Sequence, residues 1–182
     1  MFLDRSEFPP FTALLEANWR IILEELQRIP ASRFAPWHER RLYNRDWNVF
    51  GLYADGRLLT ENGALCPETV KLLAQVPGLT TAGFSLLRPG TRILPHKGYS
   101  NAVLRCHLGL VIPQDCALTV GGVQKKWEEG KCLVFDDTSV HEAWNLGPDE
   151  RVVLIADFLK EGRRFGPLER LKNKVLFFLA QR

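Results

Sequence analysis

A mainly β fold, a sandwich or jelly-roll barrel with flanking helices, is what this sequence predicts. Three observations carry the prediction. Turn signals recur roughly every 8–12 residues through the middle of the chain, at Ala54-Asp55-Gly56, Arg88-Pro89-Gly90, Gly121-Gly122 and Leu146-Gly147-Pro148-Asp149. Short apolar runs lie between them, over 47–53, 80–87, 92–96, 102–112, 118–120, 132–135, 141–145 and 151–158. Helical periodicity lies mainly at the two ends, with one short segment over 67–75. The 182 residues are 46% hydrophobic and 25% charged, an ordinary globular composition. At ~150 residues per domain this is about one domain, and it can bury a core without disulfide staples.

Along the chain, residues 11–28 place Leu15, Trp19, Ile22, Leu23 and Leu26 on one helical face. Pro9 and Pro10 precede the segment and Pro30 follows it, as helix borders do. A short helix is expected over 67–75, with Pro67 in its first turn and Leu72 and Leu73 buried. The strand runs come next. A third helical face follows in the tail, from Leu168, Leu171, Val175, Phe178 and Leu179. The single domain then divides into a mostly helical cover over 1–79, core strands over 80–158 and a basic C-terminal helix over 159–182.

The net charge of +3 is too near neutral to predict a nucleic-acid partner. Residues 160–182 hold seven basic side chains against two acidic. A solvated helix face is the plain reading of that tail, and peripheral contact with an anionic membrane is the functional one. No apolar run reaches the roughly 18 residues of a membrane span, and the charged start Met1-Phe2-Leu3-Asp4-Arg5 is unlike a secretory signal. Cys66, Cys106, Cys116 and Cys132 form no CxxC pair. They read as free thiols in a reducing compartment, so the expected location is cytoplasmic.

Strand alternation then selects candidate interior groups. In the run 102–112 one face is Leu104, Cys106, Leu108 and Leu110, suited to packing under helices. The other carries Val103, Arg105, His107, Gly109 and Val111. In 151–158 Arg151 shares a face with Val153, Ile155 and Asp157, and in 141–145 His141 shares one with Ala143 and Asn145. Arg105, His107, His141 and Arg151 are thus expected to converge inside one barrel. Burying them is costly unless something pairs them. A metal on His96 and His141, with an anionic ligand gripped by guanidinium groups, does so. A lone strand histidine is more often structural, so the set carries the reading rather than any member. Trp47, Trp127 and Trp144 read as core or pocket wall. His38, in a charged loop, has no assigned role.

An ordered series of motifs sharpens this: Phe84-Ser85-Leu86-Leu87-Arg88-Pro89-Gly90, His96-Lys97-Gly98, Arg105-Cys106-His107-Leu108-Gly109-Leu110, Trp127-Glu128-Glu129-Gly130, Phe135-Asp136-Asp137, His141-Glu142-Ala143-Trp144-Asn145 and Glu150-Arg151-Val152-Val153-Leu154. The series resembles the aspartyl/asparaginyl β-hydroxylase family of iron(II)- and 2-oxoglutarate-dependent oxygenases, over roughly residues 7–158. The resemblance implies a double-stranded β-helix, the cupin-like jelly roll. It implies a dioxygenase that uses iron(II), 2-oxoglutarate and O₂ to hydroxylate an unactivated C–H bond. His96 and His141 are then the protein ligands to iron. Arg151 and Ser85 hold the distal carboxylate of 2-oxoglutarate, and His107 contacts its other end. Arg105 contacts either that end or the substrate. Most such iron sites add a carboxylate to the two histidines. Here the position for it is Gly98, as in the resembled family. Of Asp136 and Asp137, orienting a turn or accepting the second ring N–H of a ligand histidine is the favoured role.

The substrate expected from the resemblance is an aspartyl or asparaginyl β-carbon or another amino acid, with a lipid A-type acyl chain as the alternative. Small molecules, peptides and acyl chains all remain open as substrates. A three-histidine cupin site from His96, His107 and His141 is a competing metal chemistry, but it leaves Arg151 and Ser85 unexplained. A non-catalytic cupin-type binding protein is the competing non-enzymatic reading.

Overall fold

Eleven strands and four α-helices make up the described residues, 1–98 and 100–164, of the computed structural model. The first helical segment is two helices, α1 (Phe11–Ala17) and α2 (Trp19–Arg28). Asn18 parts them. Its φ is −111° and its side-chain amide donates to the Leu14 carbonyl at 2.9 Å, competing with the helix backbone for that acceptor. After β1 (Ala35–Pro36), β2 (Trp47–Ala54) and β3 (Arg57–Leu58) come α3 (Thr60–Gly63) and α4 (Pro67–Leu73). Buried Glu25 of α2 receives the Glu68 and Thr69 backbone N–H groups at the start of α4, both at 2.8 Å. A carboxylate is favourable at a helix N-terminus, where those donors lack intrahelical partners.

The remaining strands are β4 (Leu79–Leu87), β5 (Thr91–His96), β6 (Val103–Val111), β7 (Cys116–Val120), β8 (Val123–Lys125), β9 (Cys132–Phe135), β10 (His141–Asn145) and β11 (Arg151–Leu159). They form two antiparallel sheets. The larger has the order β1-β2-β4-β11-β6-β9, with β3 on β2, and the smaller β5-β10-β7-β8. The expected helical cover over 1–79 therefore also supplies three strands of the larger sheet. β1, β3 and β8 are two or three residues long and fully exposed, so they carry no apolar alternation to read. The tail helix expected over Leu168–Leu179 lies outside the described residues.

Two cores follow from the alternation. Phe84, Cys106, Leu108, Leu110, Leu154 and Ala156 face α1 and α2, where Leu15, Ile22 and Leu26 meet them. The opposite faces, with Leu87, Val153 and Phe135, look across at Ile93, Leu118, Val120 and Ala143 of the smaller sheet. Cys66, Cys106, Cys116 and Cys132 are buried and free. Among the described residues no helix is long and apolar enough to cross a membrane. This is the mainly β, jelly-roll architecture expected, and it places the polar face of β6 and β11 between the sheets.

Candidate active site

The space between the sheets is lined by Trp47, Ser85, Ile93, His96, Arg105, His107, Leu118, Trp127, His141, Ala143, Arg151 and Ile155. All six residues singled out in the sequence are therefore in one pocket. It deepens from half-exposed His96 to Arg151, which is 1% exposed.

His96 and His141 stand opposite each other on adjacent strands β5 and β10, with ring centroids 4.2 Å apart. His96 Nδ1 lies 2.8 Å from the Leu94 carbonyl and His141 Nδ1 lies 2.9 Å from that of Ser139. A carbonyl only accepts, so each Nδ1 carries the proton and each Nε2 keeps its lone pair. Burial, then the charges of Arg105 and His96, holds the His141 pKa down at about 3, so its ring is neutral at pH 7. Its Nε2 faces Asp137 Oδ1 at 3.5 Å. That carboxylate oxygen is already held by Arg105 Nη1 at 2.8 Å, so the two Nε2 lone pairs are what remains to hold a cation. The donor set therefore fits a divalent metal. Among the described residues no three His, Cys, Asp or Glu side chains are grouped to hold one, and His107, the third histidine, has its Nδ1 lone pair taken by Trp127 Nε1.

Gly98 takes on a steric meaning. A Cβ at that position runs into the Asp137 carboxylate, and the Gly98 N–H donates to the Asp137 carbonyl at 2.8 Å. The room that a side chain on residue 98 needs is filled from β10's preceding turn. Asp136 orients that turn, accepting from Thr138 N and Oγ1. Asp137 does not take the second ring N–H of His141, since Ser139 holds it.

Arg105 bridges two carboxylates. Its Nε and Nη2 donate to Asp157 at 2.7 and 2.8 Å, and Nη1 meets Asp137 at 2.8 Å. Sequence alternation places Asp157 on the face of Arg151, but only the register Asp157↔Arg105 between β11 and β6 reveals the partner.

At the deep end the polar groups are left short of acceptors. Arg151 Nη1 donates to the Ser85 carbonyl at 3.2 Å, its Nε has no partner, and no carboxylate pairs with it among the described residues. Burial lowers its pKa to about 9, still a cation at pH 7. The Trp127 ring lies beneath it at 4.8 Å, a partial compensation. Trp47 Nε1 donates to Ser85 Oγ at 3.0 Å, which leaves the Ser85 O–H to donate. Trp127 Nε1 donates to His107 Nδ1 at 3.3 Å, which places the His107 proton on Nε2, buried and without a partner among the described residues. Burial, then Arg105 and Arg151, keeps His107 neutral, its pKa well below the ordinary value. Three donors thus point to an acceptor-rich anion, and a dicarboxylate such as 2-oxoglutarate fits them. The wall role expected of Trp47 and Trp127 is a positioning role as well. Trp144 instead is half-buried on β10 beside Arg92 and Ala117, outside the pocket and both cores.

The sequence has relatives among known proteins. The family model for aspartyl/asparaginyl β-hydroxylase matches residues 16–161. The chain belongs to that family. It is 44% identical over 117 residues to an ornithine lipid ester-linked acyl 2-hydroxylase of Rhizobium tropici, covering 63% of this chain and 42% of that protein. It is 36% identical over 152 residues to the Homo sapiens aspartyl/asparaginyl β-hydroxylase, covering 79% of this chain and 20% of that one. The chain thus spans less than half the length of either relative. Among solved structures, a 2OG-Fe(II) oxygenase family oxidoreductase from Burkholderia pseudomallei shares the fold, with a TM-score of 0.60, 13% identity and coverage of 82% and 89% of the two chains.

Proposed function

We propose that the chain is an iron(II)- and 2-oxoglutarate-dependent hydroxylase acting on an unactivated C–H bond. The observation that carries this is the pairing of two Nε2 lone pairs at the pocket mouth with an uncompensated guanidinium at its floor. His96 and His141 hold the metal. Arg151 and Ser85 bind the far carboxylate of 2-oxoglutarate, and His107 Nε2–H donates to its near end. When bound there, iron(II) with 2-oxoglutarate and O₂ supplies the oxidation that places a hydroxyl on carbon, giving succinate and CO₂. The protein's own part is to orient and exclude water. Trp47 and Trp127 fix the two neutral donors, Trp127 shields Arg151, and Asp137 with Asp157 neutralises Arg105 beside the metal ligands.

An aspartyl or asparaginyl β-carbon, or another amino acid, is one substrate reading, supported by the human relative. An acyl chain is the second, supported by the Rhizobium relative. The test is anaerobic titration with iron(II) and 2-oxoglutarate, watching the visible charge-transfer band. His96→Ala and His141→Ala each abolish the band. Full activity in either variant overturns the assignment. A protein that binds both ligands but never decarboxylates 2-oxoglutarate in O₂ is the non-catalytic binding protein instead.

A further inference from the structure

The end of the barrel that carries the histidines has an unusual rim. Leu94, Val123 and Val140 are 47%, 54% and 47% exposed, and each lies within a step or two of the histidine pair. Leu94 precedes His96 by two residues and Val140 precedes His141. Val123 pairs with Val120, which pairs with His141. Val123 follows the Gly121–Gly122 turn, and the Gly121 N–H donates to the Val140 carbonyl at 2.8 Å. The apolar side chains thus sit near strand ends and a turn of the smaller sheet, at the end where the histidines pair.

Exposed cations share this rim. Lys97 follows His96. The Tyr43–Ile93 bridge is antiparallel, which runs Arg40 and Arg41 back along β5 toward His96. On the other side the Lys160 N–H donates to the Ala102 carbonyl and Arg163 N–H to that of Lys160. Arg40, Lys97, Arg163 and Arg164 are exposed, and among the described residues none has a carboxylate partner. The acidic groups nearby are partly spent. Asp136 pairs with Lys160 at 2.8 Å and Glu39 with Arg41 at 3.4 Å, leaving Glu142 and Glu161.

We propose that this rim docks on the headgroup layer of an anionic lipid bilayer, with Leu94, Val123 and Val140 dipping into the interface and the cations held by lipid phosphates. Short apolar side chains flanked by Lys and Arg suit that layer, where burial and charge attraction act together. Negative charge on the partner complements the rim's excess of cations. The opening to His96 and His141 then faces the membrane. If the hydroxylase reading holds, substrate is drawn from an amphiphile in that membrane. The docking itself does not depend on the chemistry.

The test is co-sedimentation of the full chain, without iron, with vesicles of phosphatidylcholine alone or mixed with phosphatidylglycerol. The chain partitions onto the anionic vesicles, and the partitioning falls as salt rises. Val123→Glu with Val140→Glu weakens it roughly tenfold while the melting temperature holds. Val123→Ser with Val140→Ser is the substitute if the first pair unfolds. Equal binding to both vesicle types overturns the proposal. So does undiminished binding by the variants, which assigns the contact to the tail, or a rim that mediates only self-association. Vesicle binding without an iron–2-oxoglutarate band upholds docking and sinks the hydroxylase reading instead.

Discussion

Arg151 rests over the Trp127 ring at 4.8 Å, with Nε lacking a hydrogen-bond partner among the described residues. Trp127 also fixes the tautomer of His107. One indole therefore serves both the cation at the floor and a neutral donor beside it.

Exchange of that cation separates binding from stability. A buried charge without a counterion is costly to the fold, so Arg151→Met keeps or raises the melting temperature of the metal-free protein. Charge-assisted hydrogen bonds are worth about 1.5–3 kcal/mol, so the same variant needs roughly 10–100-fold more 2-oxoglutarate for half-saturation. A variant that unfolds, or that keeps its affinity for the dicarboxylate, contradicts the assignment.

Gly98 and Asp137 compete for one volume. Gly98→Ala costs about 1–3 kcal/mol as an overpacking change, read by urea denaturation. Asp137→Ala is costly separately, because Arg105 loses a partner. The double variant is less destabilised than the two costs combined, since the clash is gone, with a coupling of about 0.5–3 kcal/mol. Strict additivity refutes the steric reading.

Acid weakens the metal-free protein earlier than its carboxylates alone require. His107 and His141 are both held neutral below the ordinary pKa of 6.5, His141 at about 3. As pH falls through 6.5, the unfolded chain takes up protons that the folded chain refuses. Stability therefore drops from neutral pH downward, until the folded-state values are reached. The melting temperature falls between about pH 7 and pH 5, and His107→Gln flattens the slope. A flat profile for the parent protein is the contrary result.

Much of this was legible in the chain itself. Period-two alternation in 102–112 and 151–158 separated the helix-facing residues from Arg105, His107 and Arg151, because both faces of those central strands are buried. Asn18 interrupts a helix whose apolar spacing runs straight through it, since a side-chain hydrogen bond leaves no trace in periodicity. The strands β1, β3 and β8 sit at exposed edges and have no pattern to detect. Asp137, Asp157 and the two indole donors act through partners distant in sequence, and only strand register brings them together.

The direct pairing of His96 with His141 across two neighbouring strands has an evolutionary corollary. Their separation is dictated by the ladder itself, whatever the intervening chain is doing. A turn such as Gly121–Gly122, which holds no site residue, can therefore change length without moving either ring. A one-residue slip between β5 and β10, by contrast, takes away both ligands at once.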